Sequence, residues 1–483
     1  MSPAEDRSRW IALYVLCTGV LMIVLDVTVV NVALPSIQDD LGFSQSSLAW
    51  VVNAYLIAFG GLLMLAGRLG DLLSRRGVFL AGLAVFTMAS VLCGVSQSQE
   101  MLVVARFVQG VGGAMASAVV LGMIVTMFPE PREQAKAIGV YGFVASAGGS
   151  IGLLVGGVLT DSINWHWIFF VNVPVGIATA ILAIRLLDHD KGLGLRQGSD
   201  VLGALLITGG LMLLVYTIVE PAAKDGWGAG RTLAFLAGSI GLLIAFAVRE
   251  ATAKTPLIPL GVFRSRNTSG ANLIQLLSVP AMFGMFFLGA LYLERVLGYD
   301  PLEIGFAFLP ATLTMGLLSL RYSERLVTRF GARPVMIFGL TSIAVGLLLF
   351  TRAPVDGSFW EHLFPVMFLL GLGGGTSFPA LVTLAMADVE PQEAGLASGL
   401  VNTTAQVGGA LGLAVLATVA AGRTESLEAA GRSTADALNG GYHLAYLIGA
   451  GLIGVTLLIA AFVLHAPARR PEHSGEPAFS EAG

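Results

Sequence analysis

The sequence predicts an all-α polytopic membrane protein, and this prediction depends on its composition and on the length of its apolar runs. Hydrophobic residues make up 55% of the 483 residues, charged residues only 12%, and glycine contributes 61 positions. Soluble proteins carry about 25% charged residues, so this chain cannot cover a water-exposed surface of its own. The apolar runs are continuous and reach the ~20 residues that a helix needs to cross a bilayer. A cytosolic enzyme, a secreted domain and a transmembrane β-barrel are therefore excluded.

Fourteen apolar stretches are long enough to cross the membrane as helices, and short loops join them. The first stretch is too long for a cleaved signal peptide, so we interpret it as a retained membrane helix. Most of the 27 Lys and Arg residues fall in alternate loops and in the terminal segments, and the positive-inside rule then places both termini in the cytoplasm. The predicted spans are 10–33, 47–67, 77–97, 101–127, 136–160, 166–186, 200–219, 232–249, 270–293, 303–321, 334–351, 362–386, 394–421 and 442–465.

An internal repeat divides the predicted spans into two similar sets. The motif Glu-Pro-x-Glu at 130–133 recurs at 390–393, and Gly-x-Gly-Gly at 110–113 recurs at 371–374. Each copy lies eight spans after its original, so the two sets keep the same orientation, and an extra pair of spans lies between them. We expect two parallel six-helix bundles with an inserted helix pair. The predicted segments are a cytoplasmic N-terminus 1–9, a first bundle 10–190, inserted helices 199–249, a second bundle 270–465 and a disordered cytoplasmic tail 466–483.

Two ionisable residues lie within predicted spans, where charge is costly and tends to mark an ion or substrate pathway. Asp26 lies about 24 Å above the inner edge of the first span, and Arg106 lies about 6 Å below the outer edge of the fourth. In a hydrocarbon core of about 30 Å the two residues fall at nearly the same depth. We expect them to form a pair that holds Asp26 charged until Arg106 is displaced or a proton arrives, and the alternative is a static ion pair that joins two helices.

Further polar or small residues within the spans have two interpretations. Contact with a transported molecule and hydrogen bonds between helices explain the polar ones equally well. These polar residues are Asn53, Tyr55, Gln109, Asn272, Gln275, Asn402 and Gln406. In the fifth span, Gly148, Gly152, Gly156 and Gly157 allow another helix to approach closely. They have either a functional role or a role in helix packing alone. Glu294 beside Arg295, at the outer end of the ninth span, is interpreted as a solvated ion pair.

Cofactor and nucleic-acid sites have no support in the composition. Cys17 and Cys93 lie inside apolar runs, so neither a disulfide framework nor a thiolate metal cluster is expected. The 6 histidines are scattered along the chain. A net charge of −4 offers no basic patch for nucleic acid. We expect neither a metal site nor a nucleic-acid partner.

Five segments carry motifs of fixed spacing, at 25–35, 67–77, 106–110, 148–157 and 165–176. The segment 67–77 resembles the signature loop between the second and third helices of the major facilitator superfamily. Arg-x-x-Gln-Gly at 106–110 resembles the fourth-helix motif of its proton-coupled members. The glycines of 148–157 resemble the fifth-helix antiporter motif, with Leu153 where that motif has proline. The segments 25–35 and 165–176 resemble those of the fourteen-helix drug:proton antiporter branch.

This resemblance implies a secondary transporter that exports drug-like or antibiotic-like amphiphilic small molecules in exchange for protons by alternating access. It implies no enzymatic activity and no cofactor, because the proton gradient drives the transport. The implied partners are the transported molecule, protons and the lipid bilayer of a bacterial cytoplasmic membrane, with a monomeric chain. The implied proton-coupling residues are Asp26 and Arg106, and the implied conformational latch of the outward-facing state is Gly67, Gly70, Asp71, Arg75 and Arg76.

Three alternatives to drug export follow from the sequence. A proton-coupled transporter of a specific metabolite, such as a sugar, a siderophore or a secondary metabolite, predicts clustered charges in both sets of spans, but the second set has almost none. A membrane enzyme would need a catalytic cluster at the membrane surface, and we find none. A parallel repeat suits alternating access better than a fixed channel.

Because the inserted spans interrupt the repeat, we expect 203–217 and 234–246 to stay out of the substrate pathway.

Overall fold

The computed structural model of the chain describes residues 3–128, 130–188, 192, 194, 200–258, 260–386 and 394–464. Every regular element in these residues is a helix, as the continuous apolar runs predict. The first ten α-helices are α1 (Pro3–Leu41), α2 (Trp50–Leu72), α3 (Arg75–Gly94), α4 (Gln99–Met127), α5 (Pro131–Ser162), α6 (Trp167–Phe170), α7 (Asn172–Leu186), α8 (Val201–Val219), α9 (Pro221–Asp225) and α10 (Gly230–Thr252). The others are α11 (Arg266–Arg295), α12 (Pro301–Leu317), α13 (Ser323–Phe330), α14 (Ala332–Phe350), α15 (Phe364–Met386), α16 (Ala394–Ala429) and α17 (Thr434–Phe462).

The number of membrane-spanning helices is settled only in part. Among the described residues, twelve helices are long and apolar enough to cross a membrane. Two further apolar stretches, Ile151–Ser162 in α5 and Pro301–Leu317 in α12, are shorter. The chain is therefore a multi-pass membrane protein, and the count of fourteen spans stays a prediction.

Several helices extend beyond the apolar runs that predicted them. The predicted loop at 422–441 is wrong for most of its length, because α16 continues to Ala429 and α17 begins at Thr434. Ala, Leu, Glu and Arg dominate residues 420–430, and these residues favour helix whether or not the segment is apolar. Hydropathy marks the part of a helix that can lie in hydrocarbon, whereas helix propensity decides where the helix ends.

The helices form two groups, α1–α7 and α11–α17, with α8 and α10 packed beside them. We call these sets the first and second group. Contacts between the groups join α2 to α16, α5 to α12 and α1 to α11, while α8 packs against both α2 and α16. We call the end of the bundle where α2 finishes the Asp71 end, and the end where α1 finishes the Asp39 end. The second Glu-Pro-x-Glu copy at 390–393 and the predicted tail 466–483 lie outside the described residues.

Equivalent contacts occur in the two groups at positions that the sequence repeat relates. A methyl group at Gly110 of α4 would collide with the carbonyl oxygen of Tyr55 on α2. At the related Gly371 of α15, a methyl group would collide with the carbonyl oxygen of Ala311 on α12. Glycine thus allows the same close crossing of helix backbones in each group.

Two arginines at corresponding places in the two groups each bind the end of a distant helix. Arg76, at the start of α3, donates a hydrogen bond to the carbonyl oxygen of Ile184 near the end of α7, at 2.5 Å. Arg333, at the start of α14, donates to the carbonyl oxygen of Ala460 near the end of α17, at 2.9 Å. The last carbonyl groups of a helix lack partners within it, so each arginine closes its group by satisfying one of them.

Candidate functional site

The two ionisable residues within the spans contact each other inside the first group. Arg106 on α4 donates a hydrogen bond from Nη1 to Oδ2 of Asp26 on α1, at 2.5 Å. Only 1% of the Arg106 side chain and 0% of the Asp26 side chain are exposed. The structure therefore brings together the two residues that their calculated depths had paired, and their role in proton transfer stays a proposal.

Three uncharged polar side chains complete the hydrogen bonds of this pair. Gln109 accepts from Arg106 Nη1 and donates from Nε2 to Asp26 Oδ1, both at 2.7 Å. Asn172 on α7 donates to the same carboxylate oxygen at 2.9 Å. Ser90 on α3 accepts from Gln109 and from Asn172, at 3.2 and 3.0 Å. Each oxygen of the carboxylate thus has a donor, and four helices supply the members of the network.

Aromatic rings cover the guanidinium of Arg106. Its Cζ lies 4.5 Å from the ring centre of Tyr55 on α2 and 5.7 Å from that of Phe169 on α6. Its Nε donates to the carbonyl oxygen of Val51 at 3.0 Å. The face of an aromatic ring attracts a cation, and the attraction is stronger where water is excluded.

The stability of the buried Asp26–Arg106 pair depends on how many of its polar atoms are hydrogen-bonded. Removing two ions from water costs several kcal/mol per ion, which their attraction offsets only when the geometry is good and the remaining polar atoms are bonded. The amide of Gln109 meets this condition by presenting its oxygen to Arg106 and its nitrogen to Asp26. Loss of either charged partner would leave a buried unpaired charge, at a cost of roughly 3–5 kcal/mol.

A cavity of about 910 Å³ lies between the two groups, next to this network. It extends from Tyr55, in the second turn of α2, to Asp71 near the end of that helix. Most of its described wall is apolar, and the second group contributes Phe283, Gly399, Asn402 and Gln406. Charged side chains in the wall lie towards the Asp71 end. These charged residues are Arg68, Asp71, Arg75 and Asp200.

Three of the polar residues predicted to contact a substrate lie in the cavity wall, namely Tyr55, Asn402 and Gln406. Gln109 instead belongs to the buried network around Asp26. Asn53 is fully buried, and its side chain has no hydrogen-bond partner among the described groups. It is also not among the described residues of the wall.

The two candidates on α11 lie away from the described cavity wall. Asn272 accepts a hydrogen bond from Thr404 on α16 at 3.0 Å and donates to the carbonyl oxygen of Thr268. Gln275 is buried, and its Oε1 has no partner among the described groups. Asn272 therefore bonds to a neighbouring helix, and neither residue lines the described cavity. Sequence periodicity identifies a polar position but does not show which neighbour its helix face meets.

The residues of the predicted latch lie at the Asp71 end. Asp71 accepts hydrogen bonds from Nε and Nη2 of Arg75, at 3.1 and 2.8 Å. Arg75 also donates to the Thr126 hydroxyl at the end of α4, at 2.9 Å. Gly67 lines the cavity, and a methyl group at Gly70 would collide with the side chain of a valine on α4. Arg76, whose carbonyl partner on α7 is described above, is bound to a different helix from Arg75.

The glycine stripe of α5 faces two partners. A methyl group at Gly148 would lie 2.9 Å from Val24 of α1, and Gly152 and Gly156 meet the same helix further along. Gly157 instead faces the second group, where its methyl group would lie 2.7 Å from the carbonyl oxygen of Pro301. The first three glycines therefore allow close packing of α5 on α1, whereas Gly157 lies in the contact between the groups.

An ion pair at the Asp39 end joins the two groups. Arg295, the last residue of α11, donates hydrogen bonds to Asp39 and to the carbonyl oxygen of Pro35, both on α1. The prediction of a solvated pair between Glu294 and Arg295 is therefore wrong about the partner. One carboxylate oxygen of Glu294 is buried and has no hydrogen-bond partner among the described groups.

The inserted helices touch the cavity only through their ends. No residue from Val201 to Val219 or from Gly230 to Thr252 is among the described residues of the wall. Asp200, which caps the start of α8, and the segment Thr255–Leu257, which follows α10, do contribute to it. Asp200 also forms an ion pair with Arg249 at 3.1 Å. This contact joins the start of α8 to the end of α10.

Sequence reasoning did not assign Ser90 and Asn172 to the site. Asn172 lies within the motif at 165–176, so its polar side chain in an apolar region was an available signal. Ser90 had no comparable signal, because a serine in a membrane helix usually bonds its own backbone. In the structure it donates instead to the carbonyl oxygen of Phe169 at 2.9 Å. Among the described residues, no group of three metal-binding side chains lies together.

Comparison with known proteins gives consistent results. A sequence model of the Major Facilitator Superfamily matches residues 16–413 and also 292–482. The puromycin resistance protein of Streptomyces alboniger is 39% identical over 483 residues, covering 99% of this chain and 95% of that protein. The cephamycin export protein of Amycolatopsis lactamdurans is 38% identical over 411 residues, covering 84% of each.

A solved structure shares the fold. A bacterial homologue of the human lysosomal transporter Spinster, crystallised in an inward-facing and unoccupied conformation, superposes with a TM-score of 0.64. The two sequences are 18% identical, and the match covers 97% of this chain and 100% of the other. At this identity the similarity establishes the arrangement of helices and nothing about the transported molecule.

Proposed function

Because the chain belongs to the major facilitator superfamily, we propose that it exports antibiotic-like or drug-like amphiphilic molecules in exchange for protons by alternating access. The substrate class follows from the relatives, which are named for resistance to puromycin and for export of cephamycin. A mostly apolar cavity wall with few polar groups supports an amphiphilic substrate. In this proposal the proton gradient takes the place of any cofactor. The chain is a membrane transporter and not an enzyme.

The proposed membrane arrangement is fourteen passes through a bacterial cytoplasmic membrane, with both termini in the cytoplasm and a monomeric chain. The twelve apolar helices together with α5 and α12 would supply these passes. The paired contacts of Gly110 and Gly371, and of Arg76 and Arg333, support two parallel repeats. The proposed units are a first bundle 10–190, inserted helices 199–249 and a second bundle 270–465.

Alternating access requires a cavity that opens to one side of the membrane at a time. Here the two groups contact each other at the Asp39 end, through Arg295 and through Gly157. The cavity reaches the Asp71 end, which is cytoplasmic in the proposed arrangement. This conformation suits an exporter that loads from the cytoplasm. Rocking of the groups would then break the contacts at the Asp39 end and join the groups at the Asp71 end.

The loop at 67–77 would act as a latch in the opposite conformation. Its carboxylate, Asp71, binds Arg75 of the same group in the present conformation. When the groups close at the Asp71 end, this charge would meet the second group and hold the outward-facing state. The proposed latch residues are Gly67, Gly70, Asp71, Arg75 and Arg76.

Proton coupling is assigned to the buried pair, and one observation carries this assignment. Asp26 is a carboxylate within a membrane span that is held by a complete network and lies next to the cavity. Intramembrane carboxylates of this kind commonly serve proton pathways. Arg106 would bind Asp26 when the carboxylate is ionised and release it when Asp26 carries the proton. The alternative, a static pair that joins α1 and α4, predicts transport that does not depend on the charge of Asp26.

The test is transport of puromycin and of cephamycin by the purified full-length protein in proteoliposomes under an imposed pH gradient. We expect accumulation against the concentration gradient, and its collapse when a protonophore removes the pH difference. Accumulation that survives the protonophore would contradict proton exchange. Failure of the wild-type protein to move either compound would contradict the proposed substrate class.

A further inference from the structure

Tyr55 contacts both the cavity and the buried charge pair. Its side chain belongs to the cavity wall, and its ring lies 4.5 Å from the guanidinium carbon of Arg106. The other side chains around the pair, Gln109, Asn172 and Phe169, are not among the described residues of the wall. A molecule in the cavity that moves the ring of Tyr55 would therefore act directly on Arg106.

The hydroxyl of Tyr55 is buried and has no hydrogen-bond partner among the described groups. The residue is 1% exposed. A methyl group at Gly113 of α4 would lie 2.8 Å from this oxygen, so glycine leaves the space that the hydroxyl occupies. A buried polar group without a partner is destabilising, and a molecule in the cavity could supply the missing hydrogen bond.

We propose that Tyr55 couples substrate binding to the proton on Asp26, with its hydroxyl bound to the substrate and its ring bound to Arg106. This inference rests on the function proposed above. The hydroxyl can donate or accept a hydrogen bond, so the partner is a hydroxyl, amine, amide or carbonyl group of the substrate. Phe59 stacks on Tyr55 with 5.8 Å between ring centres, so an apolar part of the substrate would lie beside that polar group.

The direction of the coupling follows from what Arg106 can bind. A substrate that draws the ring towards the cavity weakens the attraction between the ring and the guanidinium. Arg106 then depends more on the carboxylate, which favours ionised Asp26 and release of its proton. Conversely, a proton on Asp26 leaves Arg106 held mainly by the ring, which keeps the ring away from the substrate. Coupling between two sites is reciprocal, so proton and substrate oppose each other, as exchange transport requires.

The groups that face this pair are few among the described residues. Arg106 on α4, Tyr55 on α2 and Cys93 on α3 are the charged or titratable groups that interact with Asp26. On α7 the neighbour is Asn172, whose amide does not titrate. Among the described residues, the proton of the proposed exchange is therefore assigned to the carboxylate of Asp26.

The experiment measures puromycin affinity for purified full-length protein at one pH below and one above neutrality. The wild-type protein should bind puromycin more weakly at the lower pH. Tyr55→Phe keeps the ring and removes only the hydroxyl, so the mutant can fold and still hold Arg106. We expect its affinity to fall about threefold to tenfold at the higher pH, the value of one hydrogen bond. At the lower pH it should change little, so the dependence on pH is lost.

Tyr446 supplies the matched control. It is a buried tyrosine whose hydroxyl also has no partner among the described groups, and it stacks on Phe350 with 4.4 Å between ring centres. It is not among the described residues of the cavity wall. Tyr446→Phe should leave both the affinity and its dependence on pH unchanged.

Other results for Tyr55→Phe or for the wild-type protein would contradict the proposed role of Tyr55. An equal loss of affinity at both pH values in Tyr55→Phe would show that the hydroxyl binds puromycin without coupling to the proton. No loss at either pH would remove Tyr55 from the binding site. If the wild-type protein binds and transports neither puromycin nor cephamycin, the proposed function fails, and this inference fails with it.

Discussion

The Asp26–Arg106 pair and the Asp39–Arg295 pair combine the same two residue types in opposite surroundings. Asp26 and Arg106 belong to one group of helices and are almost completely buried. Asp39 and Arg295 belong to different groups, and 61% and 30% of their side chains are exposed. The first pair has additional amide donors and acceptors around it, whereas Arg295 has only a backbone carbonyl besides Asp39 among its described partners.

This difference separates two tasks of a transporter. A buried pair that is held by several hydrogen bonds is costly to break, so we expect it to change mainly when Asp26 gains or loses a proton. An exposed pair contributes about 0–1 kcal/mol, so it can form and break each time the two groups rock. The buried pair is therefore suited to storing a proton, and the exposed pair to closing the Asp39 end for part of the cycle.

The largest effect is expected from Asp26→Asn. The amide keeps the shape of the side chain but cannot bind and release a proton, and it leaves the charge of Arg106 unpaired. We expect loss of puromycin accumulation under a pH gradient and a decrease of about 3 kcal/mol in the free energy of unfolding. Transport assays in proteoliposomes and denaturant unfolding in detergent measure the two effects.

Asp39→Asn is the control for this change, because it removes a carboxylate from the same helix at an exposed position. It should alter accumulation far less. Accumulation by Asp26→Asn at the wild-type rate would show that the buried pair is structural.

A smaller effect is expected when the exposed pair is broken. Arg295→Gln should shift the population towards the state that is open at the Asp39 end by up to about fivefold, the equivalent of 1 kcal/mol. Spin labels on Ser44 and Arg352, in loops of the two groups, would report the change as an increased fraction of long distances. The exchanged pair Asp39→Arg with Arg295→Asp should restore the wild-type distribution. An unchanged distribution in Arg295→Gln would mean that the pair does not hold the groups together.

Asp71→Ala should reduce the rate of transport by about twofold to fivefold, the range for a partly exposed charge pair. Binding of puromycin should persist, because Asp71 lies at the end of the cavity that is distant from Tyr55. Initial rates over a range of puromycin concentrations separate the two parameters. Asp161→Ala, an exposed acidic residue at the Asp39 end, is the control. Equal rates for Asp71→Ala and the wild-type protein would contradict the latch.

The smallest effect is expected along the inserted helices. Cysteines introduced at 203–217 or 234–246 should react slowly with a water-soluble thiol reagent and should leave transport unchanged. A cysteine at Thr255 should react quickly, and puromycin should protect it, because this position lines the cavity. Strong labelling along one face of α8 that puromycin suppresses would place that helix in the substrate pathway.

The sequence predicted the buried pair because depth in a membrane can be counted in residues. Asp26 and Arg106 lie at matching heights, and two opposite charges at one height in hydrocarbon have few other partners. Gln109, which was a candidate for substrate contact, instead belongs to the buried network around this pair. Tyr55, Asn402 and Gln406 were predicted beside the substrate, and the structure places all three in the cavity wall.

The sequence could not predict how each helix is rotated or which distant loops meet. Asn272 and Gln275 were predicted on the same grounds as Asn402, but neither lies in the described cavity wall. Asn272 instead accepts a hydrogen bond from Thr404 of α16. Arg295 was assigned to its neighbour Glu294, whereas its partner Asp39 lies 256 residues away in the chain. Such contacts depend on how the two groups dock, and no local pattern of residues encodes that.

The segment Thr255–Leu257 is a part of the cavity wall that is not helical. Leu257 packs in a small cluster with Leu400 of α16, so the segment is held in place by apolar contacts and not by a ladder of backbone hydrogen bonds. Loops tolerate substitution and insertion better than the elements that they connect. Substitutions in this segment should therefore change which molecules the cavity accepts and leave the buried Asp26–Arg106 network as it is.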